Sequence, residues 1–467
     1  MGMAHGEQPA PDGAALRTMH GGDSEPGVPQ HSPNCKCTDE ESGMTSTLTL
    51  AQRARNEAHA RQRYQICLIH PFDPRGQKVG GLETYIRDFI TFHPTDTDLL
   101  FIGVDSVGDL TLGEIHQLTF RGRTFDFLPI LHYTDQQARE AARTIRSSLT
   151  GQFFIALLRH FGTISKHIRE RRCSIDLRRV EFSWLPVVLR LPFIQMLHGE
   201  GAPKLQMDSL LRKYSFVHNA GERFAVAASA KFLCVNPFIT ERLQKTYPRQ
   251  KEKIDTLWTW VNTDIFKPQP LALDAGPFRI VFAGRLDEFK DPPLMFETIS
   301  RLKQLMPGGV EFHYIGTSDP HRFEEFAKIE DVTVRHGFKD AAGMAATIAS
   351  VHAGILTSEF EGMPRFVLET LAVGRPVVAM HLPQLESAVR DGESGFLVQR
   401  SDSRMDMVER LAHRFIDARN AIATGEMEPS RIASNIRTFT PGTQLARVFR
   451  YHQEIQNMRG MVSPPIH

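Results

Sequence analysis

Residues 358–379 read SEFEGMPRFVLETLAVGRPVVA and hold two glutamates, Glu361 and Glu369, eight positions apart. The second falls in an apolar run with the look of a buried helix, where an unpaired charge is costly and needs a partner. A strand is expected to end near Leu356, with the turn Glu361-Gly362-Met363-Pro364 leading into that helix. Proline fits the first helical position, since the N–H it lacks would be unbonded there in any case. The free N–H groups around residues 363–366 then suit a phosphate. Glu369, about one helical turn further in, could accept two hydrogen bonds from a ribose diol. The plainer alternative is one glutamate capping the helix and one in a salt bridge.

Two other stretches offer related chemistry. In FAGRLDEFKD, Arg285 and Lys290 follow directly on the apolar run FRIVFA, so they stand at the carboxyl end of a strand. Two cations beside a strand-end glycine suit a diphosphate, and arginine can grip it with two parallel bonds; a surface pair is the alternative. In PFDPRGQKVGGLE, the adjacent Gly80 and Gly81 stand just before a helix. They would let backbone approach a ligand closely, although a plain turn reads equally well. That loop has neither the GxGxxG pattern of dinucleotide sites nor the GxxxxGK[ST] pattern of nucleotide triphosphatases.

The elements that must position these groups alternate regularly. Residues 65–70, 99–104, 124–129, 193–197 and 231–235 read as strands separated by helical stretches, among them 83–92 and 153–172. Residues 255–261 would close this first unit, and VNTDIFKPQP reads as a linker. A second unit starts with strand 278–283. Helix 294–306, strands 311–315 and 332–336, helix 341–349, strand 353–356, helix 366–373, strand 376–379 and helix 405–418 follow. Two successive runs of this kind imply an α/β protein with two doubly wound parallel sheets. Its ligands would lie at the carboxyl ends of the strands, in the cleft between the domains. The boundaries are a tail over 1–60 expected to be disordered, a first domain over 61–265 and a second over 266–439. A helix near 440–456 is expected to cross back onto the first domain.

Composition narrows the function. At 467 residues two or three domains are expected, and a net charge of +1 gives no global case for nucleic-acid binding. The charge is uneven, however, at roughly +11 over residues 141–250. That stretch reads either as solvated helix faces or as a surface toward anionic lipid or an anionic acceptor. Five scattered cysteines fit a reducing compartment without a disulfide framework. No apolar leader opens the chain, and the most apolar span, residues 184–197, is short and broken by Arg190 and two prolines. A cytoplasmic protein is expected, with a peripheral contact at the inner face of the membrane.

Taken together these stretches resemble a known family. Glu361-x7-Glu369 in the setting EGMPRFVLETLAVGRPVVA looks like the signature of family 4 retaining glycosyltransferases of the GT-B fold. GRLDEFK resembles that family's Arg/Lys phosphate element, GGLETYIRDF its glycine loop, and VNTDIFKP its interdomain linker. DGESGFLV resembles the piece that follows the signature, and MLHGEG its HG segment. The likeness runs in the family's order over roughly residues 65–455. It implies that Gly80, Gly81, Arg285 and Lys290 hold the donor's diphosphate, with Gly362, Met363 and Pro364 at the phosphates. Glu369 would take the ribose, and Gly337 and Phe338 would lie against the base. Glu361 would contact hydroxyls of the transferred sugar, and His198 its C6 side or the developing charge. Arg285 and Lys290 would also stabilise the departing diphosphate. No protein nucleophile, cofactor or metal is implied, and Asp96-Thr97-Asp98, the one DxD, reads as a loop before a strand.

The expectation is a retaining glycosyltransferase that uses a nucleotide-diphospho-sugar. Its acceptor would be a saccharide or lipid-linked molecule in envelope, exopolysaccharide or lipopolysaccharide synthesis, with no nucleic-acid partner. A lapsed sugar-nucleotide-binding protein and a GT-B epimerase are the alternatives. Three departures from the family pattern stand out. HLPQLE occupies 381–386, where two glycines before a glutamate are common. Arg365 replaces a small or amide residue beside the phosphate, and Asp291 a glycine.

Overall fold

The computed structural model describes residues 63–76, 81–134, 137, 148–198, 215–273, 275–306 and 309–460. The tail over 1–60 and Gly80 lie outside them. Among the described residues fourteen strands form two sheets. The first contains β1 (Tyr64–Ile69), β2 (Thr97–Asp105), β3 (His116–Phe120), β4 (Arg123–His132), β5 (Ser174–Leu177), β6 (Phe193–Leu197), β7 (Lys231–Cys234) and β8 (Ile254–Thr256). The second contains β9 (Phe278–Ala283), β10 (Val310–Ile315), β11 (Thr333–Gly337), β12 (Ala353–Leu356), β13 (Val377–Met380) and β14 (Gly395–Val398).

The second sheet runs β11-β10-β9-β12-β13-β14, all parallel. Numbered along the chain this is the 3-2-1-4-5-6 order of a doubly wound sheet, so the topology reverses between β9 and β12. The first sheet runs β3-β4-β2-β1-β5-β6-β7-β8, with its reversal between β1 and β5. Such reversals open crevices at strand carboxyl ends. Both cores are apolar layers between sheet and helices, built on Ile280, Phe282 and Leu371 in one domain and Ile66, Phe89 and Phe101 in the other.

Three sequence readings need correction. The first sheet is not wholly parallel, because β3 and β4 form an antiparallel hairpin. Its two-residue turn, Arg121-Gly122, has positive φ at both positions (47° and 76°), the geometry that matches strand twist. The single helix expected over 153–172 is two, Leu149–Arg159 and Phe161–Arg171, separated at His160, which leaves the helical region. The DxD is no loop: Thr97 and Asp98 begin β2, and Asp98 pairs with Arg63 and accepts a bond from Gln65.

The helix Pro441–Met458 crosses back onto the first domain, burying Leu445, Val448 and Phe449 against Ile66, Ile86 and Phe89. A buried polar chain fastens it. His452 lies 2.7 Å from the Ser174 hydroxyl and 3.2 Å from Asp176, which pairs with Arg178, while Gln456 bonds Gln65 and Ser174. Where the chain passes between domains the two crossings touch: Val261 N–H donates to the Phe439 carbonyl (2.9 Å), and the Trp258 and Phe439 rings meet edge to face. Phe449→Ala should cost about 3–5 kcal/mol of stability, read by urea unfolding; a loss below about 1 kcal/mol would mean that this helix is not part of the core.

Candidate active site

A cavity of about 600 Å³ lies between the domains. Strand carboxyl ends on both sides supply its walls: Met196 and His198 at β6, Ala283 to Lys290 after β9, and Leu356 to Phe366 after β12. Gly81 and Tyr85, in the first turns of the helix Gly81–Phe92, join Val235, Thr259 and Trp260 in the first domain's wall.

Lys290 and Glu361 meet inside it. The ammonium bonds Glu361 Oε1, which also accepts from the Ser358 hydroxyl at 3.1 Å. Both side chains are largely buried, at 16% and 15% exposure, so each offsets a charge the other could not carry alone in a poorly solvated cleft. The loop that holds Glu361 is gripped from two sides. Asn236, at the end of the first domain's β7, donates to the carbonyls of Glu361 (3.3 Å) and Gly362 (3.0 Å), and Gln384 donates to the Glu361 carbonyl (2.7 Å). The loop after β9 is fixed by Gly284, whose φ of +148° excludes a side chain. Asp291 holds a left-handed conformation, φ 49°. Aspartate tolerates it better than most, and here its carboxylate caps Leu294 N–H and pairs with Arg404 at 3.0 Å.

Arg285 stands at the rim, its side chain 75% exposed and held 2.9 Å from Asp287. His198 is half-buried in the lining, its ring edge-on to Tyr85, and Nε2 has no hydrogen-bond partner among the described residues. Burial, then the positive charges of Arg178 and Arg179, push its pKa well below the usual histidine value, so the imidazole is neutral. Gly362, Met363, Pro364 and Arg365 line the cavity where the helix Arg365–Ala372 begins, and Pro364 is the residue just before it. Gly337 and Phe338 are not in the lining; Phe338 lies exposed just beyond the edge strand β11.

Glu369 is in a salt bridge, as the plainer of the two sequence readings allows. It is buried behind Arg365, whose Nε lies 3.3 Å from its carboxylate. The same guanidinium reaches Asp88 of the first domain at 3.5 Å, and Asp88 also accepts from the Trp260 indole at 2.8 Å. Burial foremost, opposed by Arg365 and aided by Asp88, raises the Glu369 pKa to about 7. The partner of this helical carboxylate is thus a cation one turn away. Sequence reading also missed Asp88, Trp260, Asn236 and Gln384. Of these only Asn236 carried a signal, its Asn-Pro pair being a helix start. Among the described residues no three His, Cys, Asp or Glu side chains cluster as metal ligands, and no helix is long and apolar enough to cross a membrane.

Two facing α/β domains with a cleft at their strand ends define the GT-B fold, and solved structures share it. Sucrose-phosphate synthase from Thermosynechococcus elongatus superposes with a TM-score of 0.62 at 16% identity, over 83% of this chain and 98% of that one. Anabaena HepE, in complex with UDP and glucose, gives 0.57 at 13% identity, over 83% and 100%. Residues 277–416 match the family model described as glycosyl transferases group 1, so the resemblance read from the Glu361-x7-Glu369 signature holds there. A putative colanic acid biosynthesis glycosyltransferase of Escherichia coli, WcaL, is 30% identical over 202 residues, 40% of this chain and 47% of that protein. The matched stretch thus spans about half the length of that curated relative.

Glu369 gives opposite pH signs to stability and to ligand binding. Its folded pKa lies above the ordinary glutamate value of 4.5, so stability from this group is full below about pH 4.5 and is lost as pH rises through about 7. A ligand that needs the carboxylate ionised will bind more tightly over the same rise. Nucleotide-induced stabilisation should therefore grow between pH 6 and 8, toward a limit of about tenfold in affinity per unit below pH 7. Calorimetric titration checks it, and a flat profile would mean that Glu369 is not in contact with the nucleotide.

Proposed function

We propose that this protein is a retaining glycosyltransferase that moves a sugar from a nucleotide-diphospho-sugar to a saccharide or lipid-linked acceptor in envelope or exopolysaccharide synthesis. The observation that carries this reading is the Lys290–Glu361 pair in the cleft. One member is a cation for a leaving diphosphate and the other a carboxylate for sugar hydroxyls, and each holds the other's place until a donor arrives. The similarity to the colanic acid enzyme supports the acceptor class, and the UDP and glucose bound by HepE support the donor class.

In the proposed step the bond from the anomeric carbon to the phosphate oxygen breaks, and the acceptor oxygen bonds to that carbon on the same face. The acceptor's proton passes to the departing phosphate, so no protein nucleophile is needed. Lys290, Arg285 at the rim and the N–H groups where the helix Arg365–Ala372 begins stabilise the charge that develops. His198, neutral and with Nε2 unpartnered among the described residues, is free to bond a sugar oxygen without adding charge. No metal is required because these groups already oppose the diphosphate. The 381–386 loop, which departs from the family pattern, braces the Glu361 backbone through Gln384, which favours an active enzyme over a lapsed one.

The first domain also offers a surface for anionic membrane at the cytoplasmic side. Ile155, Leu158, Val187, Val188 and Phe224 are exposed, with Arg159, Arg190 and Arg223 exposed in the same elements. Exposed apolar side chains with cations in the same elements suit an anionic lipid surface.

Purified protein with chelator present should be stabilised by one of UDP, GDP, ADP or dTDP, by about 2.7 kcal/mol at a hundred times the dissociation constant. Lys290→Ala should remove that shift and Glu361→Ala should abolish transfer, whereas no shift with any nucleotide overturns the reading. Vesicles rich in anionic lipid should float the protein while neutral ones do not. Val187→Ser with Val188→Ser should weaken flotation, and equal failure with both vesicle types sinks the membrane contact.

A further inference from the structure

Arg365 is unexplained by the site as described so far. It lines the cavity, yet its contacts run behind the wall, to two buried carboxylates from different domains. The two are not equally dependent on it. Asp88 has other partners in its own domain: the Trp260 indole at 2.8 Å, and Arg121 of the β3–β4 hairpin at 3.7 Å. Among the described residues Glu369 has Arg365 as its one side-chain partner. The contact to Asp88 is the long one, 3.5 Å against 3.3 Å, so the guanidinium is shared unequally across the domain boundary.

We infer that Arg365 is a positioning residue that couples occupancy of the donor site to the approach of the two domains. This rests on the reading that Glu369 faces the donor's ribose. Glu369 lies behind the lining residue Arg365, so a ribose diol that reaches past the guanidinium donates two O–H bonds to the carboxylate and satisfies it in its place. That weakens the claim of Glu369 on Arg365, and the guanidinium shifts toward Asp88, tightening the bridge between domains. A small or amide side chain at this position could not carry charge across the boundary. Leucine there would leave two buried carboxylates facing one another with nothing between them, and each would resist ionisation.

The charged groups around the pair are Arg365 and Asp88 at Glu369, and Arg365 and Arg121 at Asp88. With its cation removed, Glu369 should ionise at higher pH. In Arg365→Leu the midpoint of the acid limb of nucleotide binding should therefore move up by about one pH unit, with affinity at pH 7 falling about fivefold. Arg365→Lys, which keeps the charge, should recover most of that shift. Asp88→Asn, which leaves the Glu369 pair intact and keeps an acceptor for Trp260, should bind nucleotide but lose the coupling.

The test combines calorimetric titration of the nucleotide diphosphate found by the screen, over pH 6 to 8.5, with small-angle scattering of free and bound protein. Support is a wild type that compacts on binding, with the acid limb moved in Arg365→Leu and the compaction lost in Asp88→Asn. A wild type that binds, with both variants keeping its pH midpoint and its compaction, overturns the inference and leaves the functional reading standing. A wild type that binds no nucleotide overturns the functional reading itself, and this inference with it.

Discussion

Charge in a cleft that water reaches poorly must be met by opposite charge close by, and this constraint arranges the whole centre of the molecule. Lys290 answers Glu361, Arg365 answers Glu369 and Asp88, and Arg178 answers Asp176. Three cations thus face four carboxylates, and most of the buried charge is met from within the protein. Each pair also keeps a group aimed where a ligand would need it. The same pairing that stabilises the cleft therefore preorganises it, because a diphosphate or a diol has only to exchange partners.

The scaffold serves that arrangement through topology more than through any one loop. The β9–β12 reversal brings Lys290 and Glu361 into contact although they are far apart along the chain. Asn236 then sets the height of the Glu361 loop relative to the first domain, and Gln384 sets it relative to the second. Asp291, the residue that departs from glycine, is held by a helix cap and an ion pair, so its left-handed backbone does not loosen the loop that carries Lys290.

Much of this was legible in the sequence because it depends on local pattern. The apolar run FRIVFA, the turn EGMP and the alternation through the second unit fix where β9, the Glu361 loop and the next helix lie. What was missed depends on contacts between distant residues. Arg121-Gly122 is a weak turn signal beside Asn-Gly, so the hairpin at the sheet edge was hidden. His160 has no helix-breaking chemistry, and only packing decides that the helix divides there. Glu369 was correctly read as needing a partner. Arg365 stood four positions away on the same face, but the reach of its guanidinium to Asp88 is a fact of domain placement that no window of sequence contains.

The two chain crossings between the domains, joined by the Val261 to Phe439 hydrogen bond, have a mechanical consequence. A single covalent tether would leave one body free to twist and slide against the other. Two tethers side by side define an axis, and with the helix Pro441–Met458 anchored in the first domain they leave rotation about that axis as the soft degree of freedom. Points far from the axis then sweep wide arcs while points near it hardly move. Whatever needs a large displacement, such as admitting a bulky acceptor, belongs at the distal lip of the cleft, and whatever needs sub-ångström constancy belongs close to the pivot.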